Sequence, residues 1–182
     1  LDIVRSSFPP AMRKLMTGVL QDILGNVDKD SIDEDILKFK KEMKTSDIQD
    51  IALPTGVRKL TKFKAPTPRG AVFTTMRKGT PVHVKAAWIY NDLLKYWGLN
   101  NFEKIKSSEK IKWVYLKPNT MNVKQIGFKG YDDPKEIMDF IKENIDYDKL
   151  FERALEKKIR MFYEALKWDM PVDKINTLER FF

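Results

Sequence analysis

The chain has 182 residues and a formal net charge of +8 at pH 7, and 42% of its residues are hydrophobic and 12% aromatic. This composition can form a buried core and excludes an intrinsically disordered chain, and the length predicts one domain with at most an appendage. The sequence contains no cysteine and no apolar run approaching the roughly 20 residues of a membrane-spanning helix, which excludes disulfides, thiolate metal sites and that kind of span.

Two helices are predicted in the first quarter of the chain. Ser7 is a suitable N-cap for the first, because two prolines follow it in the first turn, where no backbone N–H has to be donated. Apolar residues then recur at helical spacing as far as Gly25, a residue typical of helix C-termini. A capping box from Ser31 to Glu34 predicts the start of a second helix that runs to about Thr45.

The middle of the chain is predicted to combine strands, an irregular loop and a helix. Six proline and glycine residues predict a loop over Pro54–Gly79, and Pro81 is expected to start a helix that ends at Gly98. Strands are predicted over Asp47–Leu53, Lys110–Leu116 and Lys124–Phe128.

The last quarter is predicted to be helical. A short helix is expected over Pro134–Lys142, and a helix of roughly 20 residues should follow and end at Pro171. Its apolar stripe consists of Phe151, Ala154, Leu155, Ile159, Phe162, Ala165 and Leu166. The predicted fold class is therefore α+β and mostly helical, with a small antiparallel β element and a long C-terminal helix. Leu178, Phe181 and Phe182 are apolar again, and they either fold back onto the domain or form a short helical plug for a partner's groove.

Positive charge is concentrated between Ile51 and Asn91. This segment contains no acidic residue, and the rest of the chain is neutral, with 26 basic and 26 acidic residues. The eight basic residues are Arg58, Lys59, Lys62, Lys64, Arg69, Arg77, Lys78 and Lys85. Such a segment favours nucleic acid phosphate as the partner, with an acidic protein surface as the alternative. Phe63, Phe73 and Trp88 lie among these residues, an arrangement that suits backbone tracking and base stacking.

Residues for catalysis are not evident. His83 is the single histidine, so neither a zinc site nor a Cys/His dyad can form, and we interpret it as a structural or phosphate-contacting residue. Neither GxGxxG nor GxxxxGK occurs, which gives no phosphate-binding loop of those kinds. Asp132 and Asp133 precede a proline and are better explained as helix N-capping residues than as metal ligands.

Four segments and a C-terminal motif carry a resemblance to a known family. They are Asp2–Pro10, Gly79–Ala87, Glu109–Lys117, Ile145–Glu152 and Leu178-x-x-Phe181-Phe182. In the same order, they resemble the palm-to-thumb transition, the Pro-x-His-x-basic segment, a thumb strand, the opening of the final helix and the clamp-binding tail of family B replicative DNA polymerases of the T-even bacteriophage type. Ile175 stands where the general clamp-binding pattern has glutamine.

The resemblance implies a division of the chain and a role for each part. Residues 1–7 would be the end of the palm, residues 8–170 the thumb and residues 171–182 a tail that binds the sliding clamp. The whole enzyme would be a DNA-directed DNA polymerase, a nucleotidyltransferase of DNA replication in the cytoplasm of an infected bacterial host. Its catalytic carboxylates and magnesium ions would lie in the palm, before Leu1, so this segment is expected to be inactive alone and to hold no cofactor.

The expected partners are double-stranded primer–template DNA, the sliding clamp and the remaining polymerase domains, with no membrane. The candidates for DNA phosphate and sugar contacts are Arg5, Ser6, Ser7, Arg13, Lys14, Arg58, Lys59, Lys62, Lys64, His83 and Lys85. The candidates for clamp binding are Leu178, Phe181 and Phe182. Alternative interpretations are a free-standing, non-enzymatic DNA-binding accessory protein, a split-polymerase subunit, and an interaction domain whose basic loop meets an acidic protein surface.

Overall fold

The structure, a computed structural model, describes residues 7–172. These residues divide into two compact units. The terminal unit contains residues 7–51 and 147–172, and the middle unit contains residues 52–146, both names referring to chain order. The helices are α1 (Pro10–Leu24), α2 (Lys29–Glu42), α3 (Ile48–Ile51), α4 (Val82–Tyr96), α5 (Lys135–Asn144), α6 (Tyr147–Phe151) and α7 (Lys157–Ala165), and the strands are β1 (Leu53–Gly56), β2 (Lys110–Tyr115) and β3 (Gln125–Phe128). The predicted class, α+β and mostly helical, is confirmed.

The terminal unit is helical, and α1 packs against α2 and α3. Met12, Met16 and Val19 of α1 are buried, as the spacing of three and four residues predicts. The predicted cap at Ser7 is wrong, because α1 begins at Pro10 with Pro9 at the N-cap and no side-chain cap.

The second helix begins earlier than its predicted capping box. The Asp28 carboxylate accepts the backbone N–H of Ser31 at 2.9 Å and also accepts the Ser31 hydroxyl at 2.8 Å. Asp28 is therefore the N-cap of α2, and Ser31 lies inside the helix.

The strand predicted over Asp47–Leu53 is wrong. Asp47 accepts the backbone N–H of Gln49 at 2.9 Å, and a short helix, α3, follows. Ile48 and Ile51 are both buried, since residues three apart share one helical face. Extended structure begins only at Leu53, in β1.

The long C-terminal helix is confirmed, but its end differs from the prediction. A π-helical turn (Glu152–Glu156) joins α6 to α7, and such a turn holds more residues than an α-helical one. The buried face consequently continues through Tyr163, while Leu166 is exposed. The helix ends at Ala165, because Lys167 adopts a left-handed conformation (φ 57°) and Trp168 N–H donates to the Tyr163 carbonyl at 2.8 Å.

A polar contact ties α7 to α2 within the terminal unit. The Tyr163 hydroxyl donates to Asp33 Oδ1 at 2.6 Å, and Lys29 pairs with the other oxygen of Asp33. The Tyr163 ring also meets the Trp168 ring edge-on at 5.5 Å. Burial and the hydrogen bond to Asp33 both raise the pKa of Tyr163.

The middle unit is built on an antiparallel sheet in the order β1-β2-β3, and the strands predicted at Lys110–Leu116 and Lys124–Phe128 are confirmed. Helix α4 packs on β3 and β2. A Cβ atom on Gly127 would lie 3.2 Å from the carbonyl carbon and oxygen of Ala86 and 3.1 Å from Cδ1 of Ile111. The glycine therefore allows the backbone of α4 to lie close against the sheet.

A buried asparagine fixes the segment that follows α4. The Asn91 side chain donates to the carbonyl of Ile105 at 2.9 Å and accepts its N–H at 2.7 Å. Since both Asn91 and Ile105 are buried, these two bonds satisfy backbone groups that water cannot reach.

Candidate nucleic-acid interface

The predicted basic segment forms a loop in the middle unit, which we call the basic loop (residues 58–78). Its seven basic side chains, all exposed, are Arg58, Lys59, Lys62, Lys64, Arg69, Arg77 and Lys78. The basic loop has no acidic residue, and none of the ion pairs within residues 7–172 involves these seven side chains. Their positive charge is therefore presented to solvent, where a polyanion can reach it.

The first part of the basic loop is held by the chain that leads into β2. Val57 N–H donates to the Glu109 carbonyl at 2.9 Å, and Leu60 N–H donates to the Ser107 hydroxyl at 3.0 Å. Lys59 takes a left-handed conformation (φ 52°) that turns the chain into a 3₁₀ turn (Leu60–Phe63). Leu60 is buried, so this turn is part of the core of the unit while its lysines remain exposed.

The two sides of the basic loop are paired. Lys64 and Met76 form an antiparallel bridge, and Arg77 N–H donates to the Phe63 carbonyl at 2.9 Å. The Arg77 guanidinium also donates through Nε to the Lys64 carbonyl at 3.1 Å. The pairing places the residues Lys64 and Arg77 next to each other on the two sides of the loop.

One face of α4 contacts both sides of the basic loop. Trp88 and Asp92 are four residues apart and so lie on the same helical face. The Lys64 ammonium lies 4.9 Å from the Trp88 ring centroid, and the Trp88 indole N–H donates to the Leu60 carbonyl at 3.0 Å. On the other side, Asp92 accepts the backbone N–H of Thr74 through Oδ2 at 2.7 Å and the Thr74 hydroxyl through Oδ1 at 2.8 Å.

The electrostatics of Asp92 combine opposing effects. Burial raises the pKa of this carboxyl above its usual value, while the two hydrogen bonds from Thr74 and the charges of Lys64 and Lys95 lower it. Burial is the largest of these causes and the net direction is upward. Both oxygens of the carboxylate are used by Thr74, so Asp92 holds the loop from below.

The aromatic residues predicted to stack on bases are partly covered by the loop's own lysines. The Lys62 ammonium lies 5.8 Å from the Phe63 ring centroid, and Lys64 covers Trp88 as described above. Both rings are also half-buried. These contacts favour charge-based contact with a nucleic acid backbone over base stacking.

His83 and Lys85 lie in the first turn of α4 and are half-buried. Burial lowers the pKa of the His83 imidazole below its usual value, which leaves the ring neutral near pH 7. A neutral imidazole can donate one hydrogen bond to a phosphate but adds no positive charge. Of the two residues, Lys85 is thus the one that adds to the basic surface.

The remaining candidates fall in the terminal unit or outside the described residues. Ser7 and Lys14 are exposed, while Arg13 is half-buried and donates to the Phe8 carbonyl at 3.0 Å. Arg13 therefore has a structural role in the chain that enters α1, and Lys14 lines a cavity of about 370 Å³ between α1 and α2. The candidates outside the described residues are Arg5, Ser6, Leu178, Phe181 and Phe182.

Sequence reasoning missed some residues of this site. Arg77 belongs to the acid-free segment, and its position beside Lys64 makes it a candidate for DNA contact as well. Thr74 and Asp92 gave no sequence signal, because each is an ordinary polar residue whose partner lies 18 positions away.

No cluster of three or more His, Asp or Glu side chains within residues 7–172 is arranged to hold a metal ion, and no helix there is long and apolar enough to cross a membrane. The adjacent carboxylates Asp132 and Asp133 do not act together. Asp133 accepts the backbone N–H groups of Lys129 and Gly130 at 2.8 and 2.7 Å, while Pro134 is the N-cap of α5. Their predicted role in N-capping is therefore wrong, because Asp133 closes the preceding turn instead.

Comparison with known proteins gives a partial similarity. No family model matches the chain. Over 76 residues, the chain is 33% identical to human Protein SSX5, and this match covers 40% of each protein. The chain thus spans less than half the length of this relative, and no family assignment follows from it.

Proposed function

We propose that the chain is the thumb and C-terminal tail of a phage-type family B DNA-directed DNA polymerase, and that it binds the primer–template duplex behind the active site. The observation that carries the DNA-binding part is the basic loop, with seven exposed cations, no acidic residue and a conformation held by α4. The resemblance of four segments in the same order supports the polymerase part. The parent enzyme would act in the cytoplasm of an infected bacterium and would hold its magnesium ions in the palm.

Backbone contact rather than base readout is the mode that the basic loop supports. Lysine and arginine side chains on an exposed loop neutralise phosphates whatever the base sequence, and such contacts position a protein on DNA without specifying a site. A replicative enzyme moves along every sequence in turn, so binding of this kind fits the role. The lysines that cover Phe63 and Trp88 favour a duplex over a single strand, since single-strand binding draws on open aromatic rings.

The proposal is tested by the salt dependence of duplex binding by the full 182-residue chain. If about five phosphates are neutralised, the plot of log affinity against log salt concentration should have a slope of roughly −4 to −5. Charge reversal of Lys59, Lys62 and Lys64 to Glu should weaken binding to unrelated duplex sequences alike and make the slope shallower.

The matched control reverses three exposed lysines of the same unit that lie outside the basic loop, namely Lys104, Lys124 and Lys142. Both triple variants change the net charge equally. A general effect of net charge would weaken DNA binding equally in both variants. A specific role of the basic loop requires a larger loss of affinity in the variant with Lys59, Lys62 and Lys64 reversed. Flat salt dependence of the unmodified chain, or equal losses in the two variants, would refute the proposed interface.

The rival interpretations make different forecasts. An interaction domain for an acidic protein surface would bind an acidic polypeptide more tightly than duplex DNA of equal charge. A free-standing accessory protein or split subunit would bind DNA as proposed here, and it would differ in lacking a continuous upstream reading frame with the catalytic Asp-Thr-Asp strand of a palm.

A further inference from the structure

We propose that Asp92 is a positioning residue of the DNA interface, which holds the basic loop in its binding conformation through Thr74. The inference rests on the proposed DNA-binding role of the basic loop, and it adds a residue that touches no DNA itself. It follows from the geometry at α4, where a carboxylate on the helix accepts two hydrogen bonds from the side of the loop that lies opposite Lys64.

The contact is bidentate and ties regions distant in sequence. Asp92 Oδ2 accepts the Thr74 backbone N–H at 2.7 Å, and Asp92 Oδ1 accepts the Thr74 hydroxyl at 2.8 Å. Hydrogen bonds to an ionised acceptor are about twice as strong as neutral ones, and two of them fix orientation as well as distance. The carboxylate is half-buried beneath the loop, so water competes with Thr74 only in part.

The position of Thr74 makes this contact decisive for the arrangement of charge. Thr74 immediately precedes Thr75, whose carbonyl accepts the Ala65 N–H at 2.9 Å across the pairing of the two sides. One side of the loop is held on Trp88 by Lys64, and the other is held on Asp92 by Thr74. Loss of the second contact would leave the side that leads to Arg77 held only by its pairing with the Lys64 side, with no hydrogen bond from Thr74 to α4.

An alternative role for Asp92 predicts the opposite change in DNA affinity when its charge is removed. A carboxylate close enough to influence Lys64 could neutralise the basic loop and compete with phosphate. Removal of its charge would then tighten DNA binding by adding one unit of net positive charge. If Asp92 positions the loop, the same removal weakens binding even though the protein becomes more positive. The sign of the change therefore separates the two roles.

The salt dependence separates positioning from direct contact. The slope of log affinity against log salt concentration reports the number of phosphates neutralised in the complex. A loop that must be ordered on binding still reaches the same phosphates, so the affinity falls at every salt concentration while the slope stays constant. Charge reversal of a contacting lysine instead changes the slope.

The experiment measures duplex affinity and its salt slope for four variants of the full chain. Asp92→Asn should bind roughly 3- to 10-fold more weakly with an unchanged slope, because one of its two acceptors is replaced by a donor. Asp132→Asn is the matched charge control, since Asp132 is exposed and lies outside the basic loop in the sequence, and it should bind within about twofold of the unmodified chain. Thr74→Val should weaken binding without any change of charge, and Thr74→Ser, which keeps the hydroxyl, should restore it.

Hydrogen exchange of the free variants supplies a second readout. Asp92→Asn and Thr74→Val should accelerate exchange at the paired amides of Ala65 and Arg77 and leave the amides of β2 and β3 protected. If Asp92→Asn does not fold, the comparison of Thr74→Val with Thr74→Ser tests the positioning role of Asp92, because neither substitution changes a charge or a buried acid.

Each outcome supports or overturns the inference. Tighter binding by Asp92→Asn, an affinity equal to that of Asp132→Asn, or a Thr74→Ser variant as weak as Thr74→Val would each overturn it. A shallower salt slope would show that the variant neutralises fewer phosphates than the unmodified chain, and would also overturn it. If the unmodified chain shows no salt-dependent binding, the proposed function itself fails. If the unmodified chain binds as expected and the Asp92 variant binds equally well, only the inference about Asp92 fails.

Discussion

The close packing of α4 on the sheet predicts that Gly127→Ala destabilises the middle unit. A Cβ atom at this position would lie 3.2 Å from the carbonyl carbon and oxygen of Ala86. These are backbone atoms of a helix and cannot rotate away, whereas Ile111 Cδ1, at 3.1 Å, is the end of a flexible side chain. The methyl group can therefore be accommodated only if α4 moves from β3 by a few tenths of an ångström.

The magnitude follows from two opposing contributions. Overpacking of a tight core contact costs about 1–3 kcal/mol. Replacing glycine by alanine also restricts the unfolded chain, which stabilises the folded state by about 0.4–1 kcal/mol. We expect a net loss of about 0–2.6 kcal/mol, and for a chain of this length that corresponds to a fall in Tm of at most roughly 10 °C.

Gly56→Ala is the matched control, because Gly56 lies in β1 of the same sheet and a Cβ atom there meets nothing within 4 Å. Gly56→Ala restricts the unfolded chain in the same way but creates no clash in the folded state, so the Tm of this variant should stay level or rise. Thermal and urea unfolding of the two variants, followed by circular dichroism, measure the difference. If Gly127→Ala unfolds at the same temperature as Gly56→Ala or above it, the packing distances described for α4 and β3 do not hold in solution.

Four further predictions concern other features of the chain. Asn91→Leu leaves the buried N–H and carbonyl of Ile105 without partners, and urea unfolding should show a loss of about 2–4 kcal/mol. Burial and the hydrogen bond to Asp33 raise the pKa of Tyr163, so the stability contributed by the neutral tyrosine is complete below the ordinary pKa near 10 and is lost as the pH rises above it. Tyr163→Phe should therefore lower the Tm at pH 8, and the Tm of this variant should fall less between pH 8 and 11 than that of the unmodified chain. The chain alone should not extend a primer with any divalent metal, and robust incorporation by clean protein would contradict the assignment to a thumb segment. Deletion of residues 175–182 should abolish binding to the cognate sliding clamp and leave the Tm nearly unchanged, whereas a fall of several degrees with clamp binding intact would show that these residues pack on the domain instead.

Much of the secondary structure follows from periodicity in the sequence. The spacing of Met12, Met16 and Val19 identifies α1, and the residues of β2 and β3 form the predicted antiparallel pair. The segment over Asp47–Leu53 was not identified in this way, because a helix of 4 residues is only about one turn long and does not repeat the helical pattern. Ile48 and Ile51 share one face of a helix but would lie on opposite faces of a strand, so their spacing agrees with α3, and the contact of Asp47 with Gln49 marks where the helix begins.

The candidate interface was predictable in its charge but not in its shape. An acid-free segment with eight basic residues is visible by counting, and in the structure the seven basic side chains of the loop are exposed. Which face of α4 holds the loop depends on contacts between Leu60 and Trp88, 28 residues apart, and between Thr74 and Asp92, 18 residues apart. Local sequence patterns contain no information on such pairs, since each partner is acceptable in many other environments.

A loop with seven like charges has to be held against its own repulsion, and the structure shows where the opposing contacts lie. Lys64 is attracted to the Trp88 ring, and the Asp92 carboxylate lies half-buried on the same helical face. An acidic residue within the loop would also have reduced the repulsion, but it would have occupied the surface that phosphates must approach. With Asp92 on the helix beneath, its hydrogen bonds to Thr74 restrain the loop while the cations above remain exposed. A surface restrained in this way loses less conformational freedom when it binds a polyanion, so more of the electrostatic attraction remains as affinity.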